Sequence, residues 1–590
     1  MHNAPMTIIE TQDRAYRPAV YWTLLAAAAI VGAFLRLYLI GDQVLIDDEW
    51  HGFYYVIGKS FGYLLTHFSI PGATCTPLHL YYHFLLKTVG WNELLLRLPS
   101  IVAGLLCLVV FPLLLRGILS RRATVIFSFL LAISPFLIFY SRFARPYSPE
   151  VLFSFITVIS AYRWATSGQC RDAVLCVICG AATVYFHLFG IVAVAAPYFC
   201  VLLLRLMQNK LPALTGGTRV KLSVPHILAV LTITAGLICI LVLPAFVHSA
   251  HTSLNTVAGA GDASRVSLWP IIEMMAGTAN YVLVSVVVVL LTAGIAVLAR
   301  KNGLLAAMFG LTVAGFVLSL ALSKPHSMHA AIVICRYCIP VFPMAFVLIA
   351  VGLDSALNYV ESTAPAASRL RYRVMCNALV GAFIVGLLWT GPLRQTYAMP
   401  NNFTGHSVFQ QSYRPVDWKT SFFSEMTPPG FQWNTTIDMT EISPFYNRLR
   451  CDTGVNAIVE FPMMVGDHFN PYYYYQHFHG KRVIIGYTTA FPDRTGLAAG
   501  NVFGNTYIDS VLSLVQDNAK LRFKNMINMD DTAALAASGT DYVIIHRKFE
   551  AELPLIVRPH PSIPQLEQRF GTAFGPPLFE DDHVIVFRLR

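Results

Sequence analysis

The sequence predicts a polytopic α-helical membrane protein carrying a C-terminal extracytoplasmic α/β domain. Three observations support this: a composition poor in charge, apolar runs of membrane-spanning length, and a change of composition near Tyr397. Of 590 residues, 55% are hydrophobic and 13% charged, and the mean hydropathy is +0.56. Soluble domains carry roughly 25% charged residues, so about half of the usual charge is missing.

Apolar runs of about 20 residues, the length that crosses a bilayer core of ~30 Å, recur through the first two-thirds of the chain. They predict eleven spans, at about 20–40, 94–115, 123–141, 148–166, 172–188, 190–206, 226–247, 279–299, 303–322, 329–352 and 374–393. The first run is too long for the apolar core of a cleaved signal and has no clear small-residue cleavage site before Asp47, so it reads as a retained helix.

The net charge of +10 follows the topology. Arg14/Arg17, Arg116/Arg121/Arg122, Arg163/Arg171, Arg205/Lys210/Arg219/Lys221, Arg300/Lys301 and Arg369/Arg371/Arg373 all fall on one side of the predicted spans. Basic loops face the cytoplasm, so the excess charge encodes orientation and is no nucleic-acid surface. The 11 cysteines mostly lie in apolar runs, where a thiol behaves as a small hydrophobe. The CxxC pairs Cys176/Cys179 and Cys335/Cys338 fall in predicted helices without a second pair or a nearby histidine set, so neither reads as a metal or redox site.

The opposite loops then face outward. The first, about 41–93, is long and partly amphipathic, and its aromatic spacing predicts two short helices in the membrane interface. Another such helix is expected near Trp269 to Met275. From about Tyr397 no run approaches 20 apolar residues. Short β-rich stretches recur at 457–461, 482–487, 541–546 and 582–589, with helical segments at 508–517 and 531–538 between them. That alternation predicts an α/β domain over 397–590, following a transmembrane module over 1–396. An odd number of spans places this domain outside, with the long first loop.

Three clusters could carry chemistry. Asp47, Asp48 and Glu49 follow the first span, with Trp50 and His51 next. Acidic residues favour the first turn of a helix, where the macrodipole is positive. A carboxylate at the membrane surface can also act as a general base toward a hydroxyl. The second cluster is Ser141-Arg142-Phe143-Ala144-Arg145-Pro146-Tyr147-Ser148, at the outer end of the third predicted span. Two arginines there run against the positive-inside trend. They either snorkel to headgroups or offer planar forks to phosphate oxygens.

The third cluster is Cys335-Arg336-Tyr337-Cys338-Ile339-Pro340, with Arg336 several residues inside a predicted span and Lys324, His326 and His329 preceding it. An ionisable residue at that depth faces a cavity, a partner or a substrate. His79, His83 and His187 sit near outer helix ends as polar liners, since no metal-ligand spacing appears.

These residues together resemble the GT-C glycosyltransferases. The resemblance rests on Asp48-Glu49 after span one, Thr76-Pro77-Leu78, Arg97-Leu98-Pro99, the Ser141–Ser148 stretch and Arg336-Tyr337-x-x-Pro340, in that order and all outward. It is closest to the bacterial branch related to protein O-mannosyltransferases, the aminoarabinose transferase of lipid A and the lipopolysaccharide-core galacturonosyltransferases, and covers roughly 20–350.

The resemblance implies transfer of a sugar, with inversion, from a polyprenyl-phosphate donor to a glycolipid, lipopolysaccharide, polysaccharide or protein acceptor. It further implies a bacterial inner membrane with the C-terminal domain periplasmic. The family's first-loop aspartate maps to Asp48, with Glu49 beside it and Asp47 as an extra carboxylate. The phosphate-binding residues map to Arg145 and Arg336. Asp47, His51, His79, Arg142, Tyr147, Lys324 and Tyr337 are the remaining expected substrate contacts.

No cofactor is required for such chemistry, although a carboxylate trio could hold a divalent cation. A transporter or flippase of lipid-linked sugars would also need intramembrane arginines, but the chain shows none of the internal repeats typical of transporters. A membrane-anchored binding protein whose soluble domain does the work is the third reading.

Overall fold

A computed structural model describes residues 16–38, 40, 49–56, 59–68, 74–90, 93–207, 220–258, 268–324, 331–391, 393, 442–455, 457–461, 475, 479, 481–483, 541–547 and 563–589. The chain divides into two compact units. The first holds the helical bundle; the second holds the C-terminal sheet together with a short helix of the first loop.

The bundle is built from α1 (Pro18–Leu37), α3 (Phe61–Thr66), α4 (Thr76–Lys87), α5 (Glu93–Leu115), α6 (Arg121–Ile133), α7 (Pro135–Ser141), α8 (Tyr147–Ser167), α9 (Cys170–Phe186) and α10 (Ile191–Met207). It continues with α11 (Val224–Ala258), α12 (Leu268–Ala276), α13 (Tyr281–Lys301), α14 (Gly303–Ser323), α15 (Ala331–Tyr337), α16 (Val341–Thr363) and α17 (Arg369–Thr390). The remaining first-loop helix, α2 (Glu49–Val56), belongs to the second unit. Among the described residues the first loop thus forms three short helices where two were expected. The helix expected near Trp269 is α12.

Eight helices are long and apolar enough to span a membrane, or nine if the bent pair α6–α7 is one span. Each of the eleven expected spans has a helical counterpart, but two fall short of that test. α9 has only 17 residues, and α8 carries Glu150, Arg163 and several hydroxyl side chains. Two further expectations need correction, and proline explains both. Pro135 bends the third span by 56° between α6 and α7, because its ring cannot continue the hydrogen-bond ladder. The tenth span starts at Val341, after the Cys338–Pro340 turn, so Arg336 lies on the separate helix α15 and not inside a span.

The Pro135 break leaves carbonyls without intrahelical partners, and Arg36 takes them. Its guanidinium, 1% exposed, donates to Leu131 O and Ala132 O at 3.2 Å each, to Gly32 O at 3.0 Å and to Ser141 Oγ at 3.2 Å. Gly104 permits this approach: a Cβ there would stand 2.2 Å from Ser141 Oγ. On the far side, Gly294 of α13 and Gly352 of α16 let two backbones touch, since Cβ atoms would meet Leu348 O at 1.9 Å and Leu290 O at 2.1 Å. Small residues at such crossings are how membrane helices gain close packing.

In the second unit, α18 (Phe445–Cys451) and α19 (Ile563–Phe574) accompany a five-stranded sheet. Its strands are β1 (Ala457–Phe461), β2 (Arg482–Val483), β3 (Tyr542–His546), β4 (Phe579–Glu580) and β5 (Val584–Arg588), in the order β2-β1-β3-β5-β4. β1 pairs parallel with β2 and β3, while β5 runs antiparallel to β3 and β4. Tyr542, Ile544 and Ile458 alternate onto one face and pack with Phe445, Tyr446 and Leu449 of α18. All four expected β-rich stretches contribute a strand. The helices expected at 508–517 and 531–538 lie outside the described residues.

Candidate functional site

The second of the three sequence clusters forms the turn between α7 and α8. Arg142, 2% exposed, closes α7 and turns back onto the end of α1: its Nη1 donates to Tyr38 O at 2.8 Å, Arg36 O at 3.1 Å and Leu35 O at 3.5 Å. These are the carbonyls a helix C-terminus leaves unpaired. Arg36 of α1 thus caps the end of α6, while Arg142 caps the end of α1. This gives Arg142 a structural task where the sequence suggested a substrate contact.

Arg145 sits two residues before α8 and is 8% exposed. Its carbonyl accepts from Ser100 Oγ of α5 at 2.8 Å, and its amide donates to Phe143 O at 2.7 Å. The neighbouring Ala144 carbonyl accepts from Tyr82 Oη of α4 at 2.9 Å. The first loop and α5 thus fix the turn that carries Arg145. His79, also on α4, is fully buried, with Nε2 3.3 Å from Cys75 Sγ. Burial, followed by the positive charge of Arg145, pushes His79 down to about 3, so it is neutral at any physiological pH. Arg97, in the first turn of α5, is fully buried as well.

From Tyr147 a run of ring contacts leads to the third cluster. The Tyr147 ring meets His187 edge-on at 5.6 Å; His187 stacks on Tyr337 at 5.8 Å; and the Arg336 guanidinium lies over the Tyr337 ring at 5.5 Å. The run connects Tyr147, two residues after Arg145, to Arg336, which lies 189 positions later in sequence. The cation–π contact holds a guanidinium without neutralising it, which suits a group that must also meet an anion.

One member of this array was missed by sequence reasoning. Glu150, in the first turn of α8 and fully buried, places Oε2 3.1 Å from His187 Nδ1. The approach is a close polar contact without hydrogen-bond alignment. A single acid after Pro146-Tyr147-Ser148-Pro149 reads as an ordinary helix start, so only the fold reveals its partner.

The other expected site residues are more scattered. Lys324 is exposed at the C-cap of α14 with φ 40°, and no described contact joins it to the cluster. Asp47 and Asp48 lie outside the described residues, as do His326 and His329. Glu49 is buried at the start of α2, whereas the side chain of the neighbouring His51 is not among those described. Among the described residues, no group of three His, Cys, Asp or Glu side chains is placed to hold a metal ion.

Comparison with known proteins agrees with this architecture. Residues 76–229, spanning α4 to the start of α11, match the family described as Dolichyl-phosphate-mannose-protein mannosyltransferase. No curated protein sequence matches the chain. ArnT from Cupriavidus metallidurans, solved bound to undecaprenyl phosphate, shares the fold with a TM-score of 0.50 at 12% identity, over 97% of this chain and 99% of that one. The same protein in the apo state gives 0.49 at 13% identity over 97% and 99%. The apo oligosaccharyltransferase of Archaeoglobus fulgidus gives 0.46 at 14% identity over 90% and 70%. The family match thus covers the first loop and the central helices, and the fold of ArnT extends over 97% of this chain.

Proposed function

We propose that the protein moves a sugar from a polyprenyl-phosphate donor to a cell-envelope acceptor (a glycolipid, lipopolysaccharide or protein) on the periplasmic face of a bacterial inner membrane. The observation that carries this reading is the run of ring contacts from Tyr147, two residues after Arg145, through His187 and Tyr337 to the Arg336 guanidinium. Two guanidinium groups in a low-dielectric setting suit a phosphate monoester. The undecaprenyl phosphate in the ArnT structure supports the same donor class.

In this reading Asp48 takes the proton of an acceptor hydroxyl. That oxygen forms a bond to the anomeric carbon as the bond from carbon to the phosphate oxygen breaks, inverting the centre. The electron pair leaves with polyprenyl phosphate, whose growing charge Arg145 and Arg336 stabilise, each by a few kcal/mol in a well-aligned site. Glu49 and Asp47 lie beside the base, and the periplasmic domain over 397–590 presents or covers the acceptor.

Mass spectrometry of envelope glycolipids and glycoproteins tests the reading in cells lacking the chain, then complemented with wild type or Asp48→Asn. The expected result is one sugar-modified species that returns with wild type and stays absent with Asp48→Asn. An envelope identical in all three strains overturns the reading.

A further inference from the structure

We propose that Glu150 and His187 form a positioning pair that sets Tyr337, and through it Arg336, against the donor phosphate; this rests on the phosphate-binding role given to Arg336 above. The His187 backbone is extended where α9 ends, and its ring is met by residues of two other helices, α8 and α15. Glu150 of α8 approaches Nδ1 at 3.1 Å, Tyr147 of the same helix meets the ring edge-on, and Tyr337 of α15 stacks on it with an interplanar angle of 26°. Phe189 completes the packing of Tyr337 at 4.8 Å. Arg336 then rests over the Tyr337 ring.

A fully buried carboxylate costs several kcal/mol of desolvation and survives only with compensation. Here the compensation is the α8 N-terminus and the adjacent His187 ring. Apolar packing alone would hold α8, α9 and α15 together without that cost. What the acid adds is direction: the 3.1 Å approach favours the His187 ring rotation that keeps Nδ1 on the Glu150 side, and the stacked Tyr337 follows. α15 has only seven residues before the Cys338–Pro340 turn, so it is too short to fix the Arg336 side chain by itself.

The test measures binding of polyprenyl phosphate without sugar to the full-length protein in nanodiscs, for wild type, Glu150→Ala, Glu150→Gln, Arg336→Ala and the Glu150→Ala/Arg336→Ala double variant. Glu150→Ala is expected to weaken binding about tenfold, with Glu150→Gln between it and wild type. The double variant should bind no more weakly than Arg336→Ala, since both changes disable the same contact. If Arg336→Ala weakens binding and Glu150→Ala does not, or if the two losses add in full, the positioning pair is refuted while the phosphate site stands. If Arg336→Ala itself leaves binding unchanged, the phosphate role fails and the positioning role with it. Should Glu150→Ala not fold, Glu150→Gln and His187→Phe carry the same comparison. His187→Phe keeps a ring on Tyr337 but loses the acid contact, so it too must weaken binding for the proposal to hold.

Discussion

The hydroxyl of Tyr82 donates to the carbonyl of Ala144 at 2.9 Å, tying the first-loop helix α4 to the turn that presents Arg145. Tyr82 is 1% exposed, so the bond is made away from water. Tyr82→Phe leaves a buried carbonyl without this donor, a loss of about 1–3 kcal/mol. A lower thermal midpoint in detergent together with weaker donor binding is the expected outcome. A stability loss with donor binding intact would separate α4 from the site.

Arg142 and Arg145 stand three positions apart and are expected to fail in different ways. Arg142→Ala removes donors from Leu35 O, Arg36 O and Tyr38 O, so thermal stability falls. Arg145→Ala leaves those bonds in place and, through the lost phosphate contact, is expected to slow transfer on the order of a hundredfold. Thermal denaturation and a transfer assay run side by side on both variants check this. Equal profiles would contradict the division of labour.

His79 makes a pH prediction. Its folded value of about 3 lies below the ordinary 6.5, so the unfolded chain takes up a proton over a range where the native protein does not. The stability it contributes is present above about 6.5 and is lost as pH falls from there toward 3. His79→Asn should flatten the dependence of the thermal midpoint on pH within that window. An unchanged slope would show that other groups govern it.

At the N-terminus of α6, Arg122 is fully buried and donates from Nε to Asp354 Oδ1 at 2.7 Å, from Nη2 to Asn358 Oδ1 at 2.6 Å, and to Glu361. Ser120 adds a bond to Asp354 Oδ2 at 2.7 Å. Removing one partner of such a pair strands the other, so Arg122→Met is expected to destabilise by about 3–5 kcal/mol. Adding Asp354→Leu should recover part of that loss. Thermal unfolding of the single and double variants checks the sign of the recovery.

The apolar runs made the helices legible, and the alternating β-rich stretches made the strands legible, because both periodicities are local. What was not legible depends on contacts between distant positions. Ser134-Pro135 and Cys338-Ile339-Pro340 sit inside apolar stretches, and a hydropathy window averages over the breaks they impose. The second of these moved Arg336 off the span it was expected to occupy and onto α15. Arg142 resembled Arg145 in sequence, yet the open end of α1 lies beside only one of them. Glu150 had no signal at all until His187, 37 positions later, came within reach. The acidic cluster was the reverse case: Asp47-Asp48-Glu49 suggested a general base from sequence alone, and of the three only Glu49 lies among the described residues.

Asp48 therefore carries the sharpest test. The purified protein in proteoliposomes is given a polyprenyl-phosphate sugar together with an extract of envelope glycolipids and proteins as acceptor, and release of polyprenyl phosphate is followed for wild type, Asp48→Asn and Asp47→Asn, with donor affinity measured in parallel. The account predicts that Asp48→Asn binds donor as wild type does but releases polyprenyl phosphate on the order of 10²–10⁴ times more slowly, while Asp47→Asn stays near wild type. Release by Asp48→Asn at the wild-type rate would contradict it.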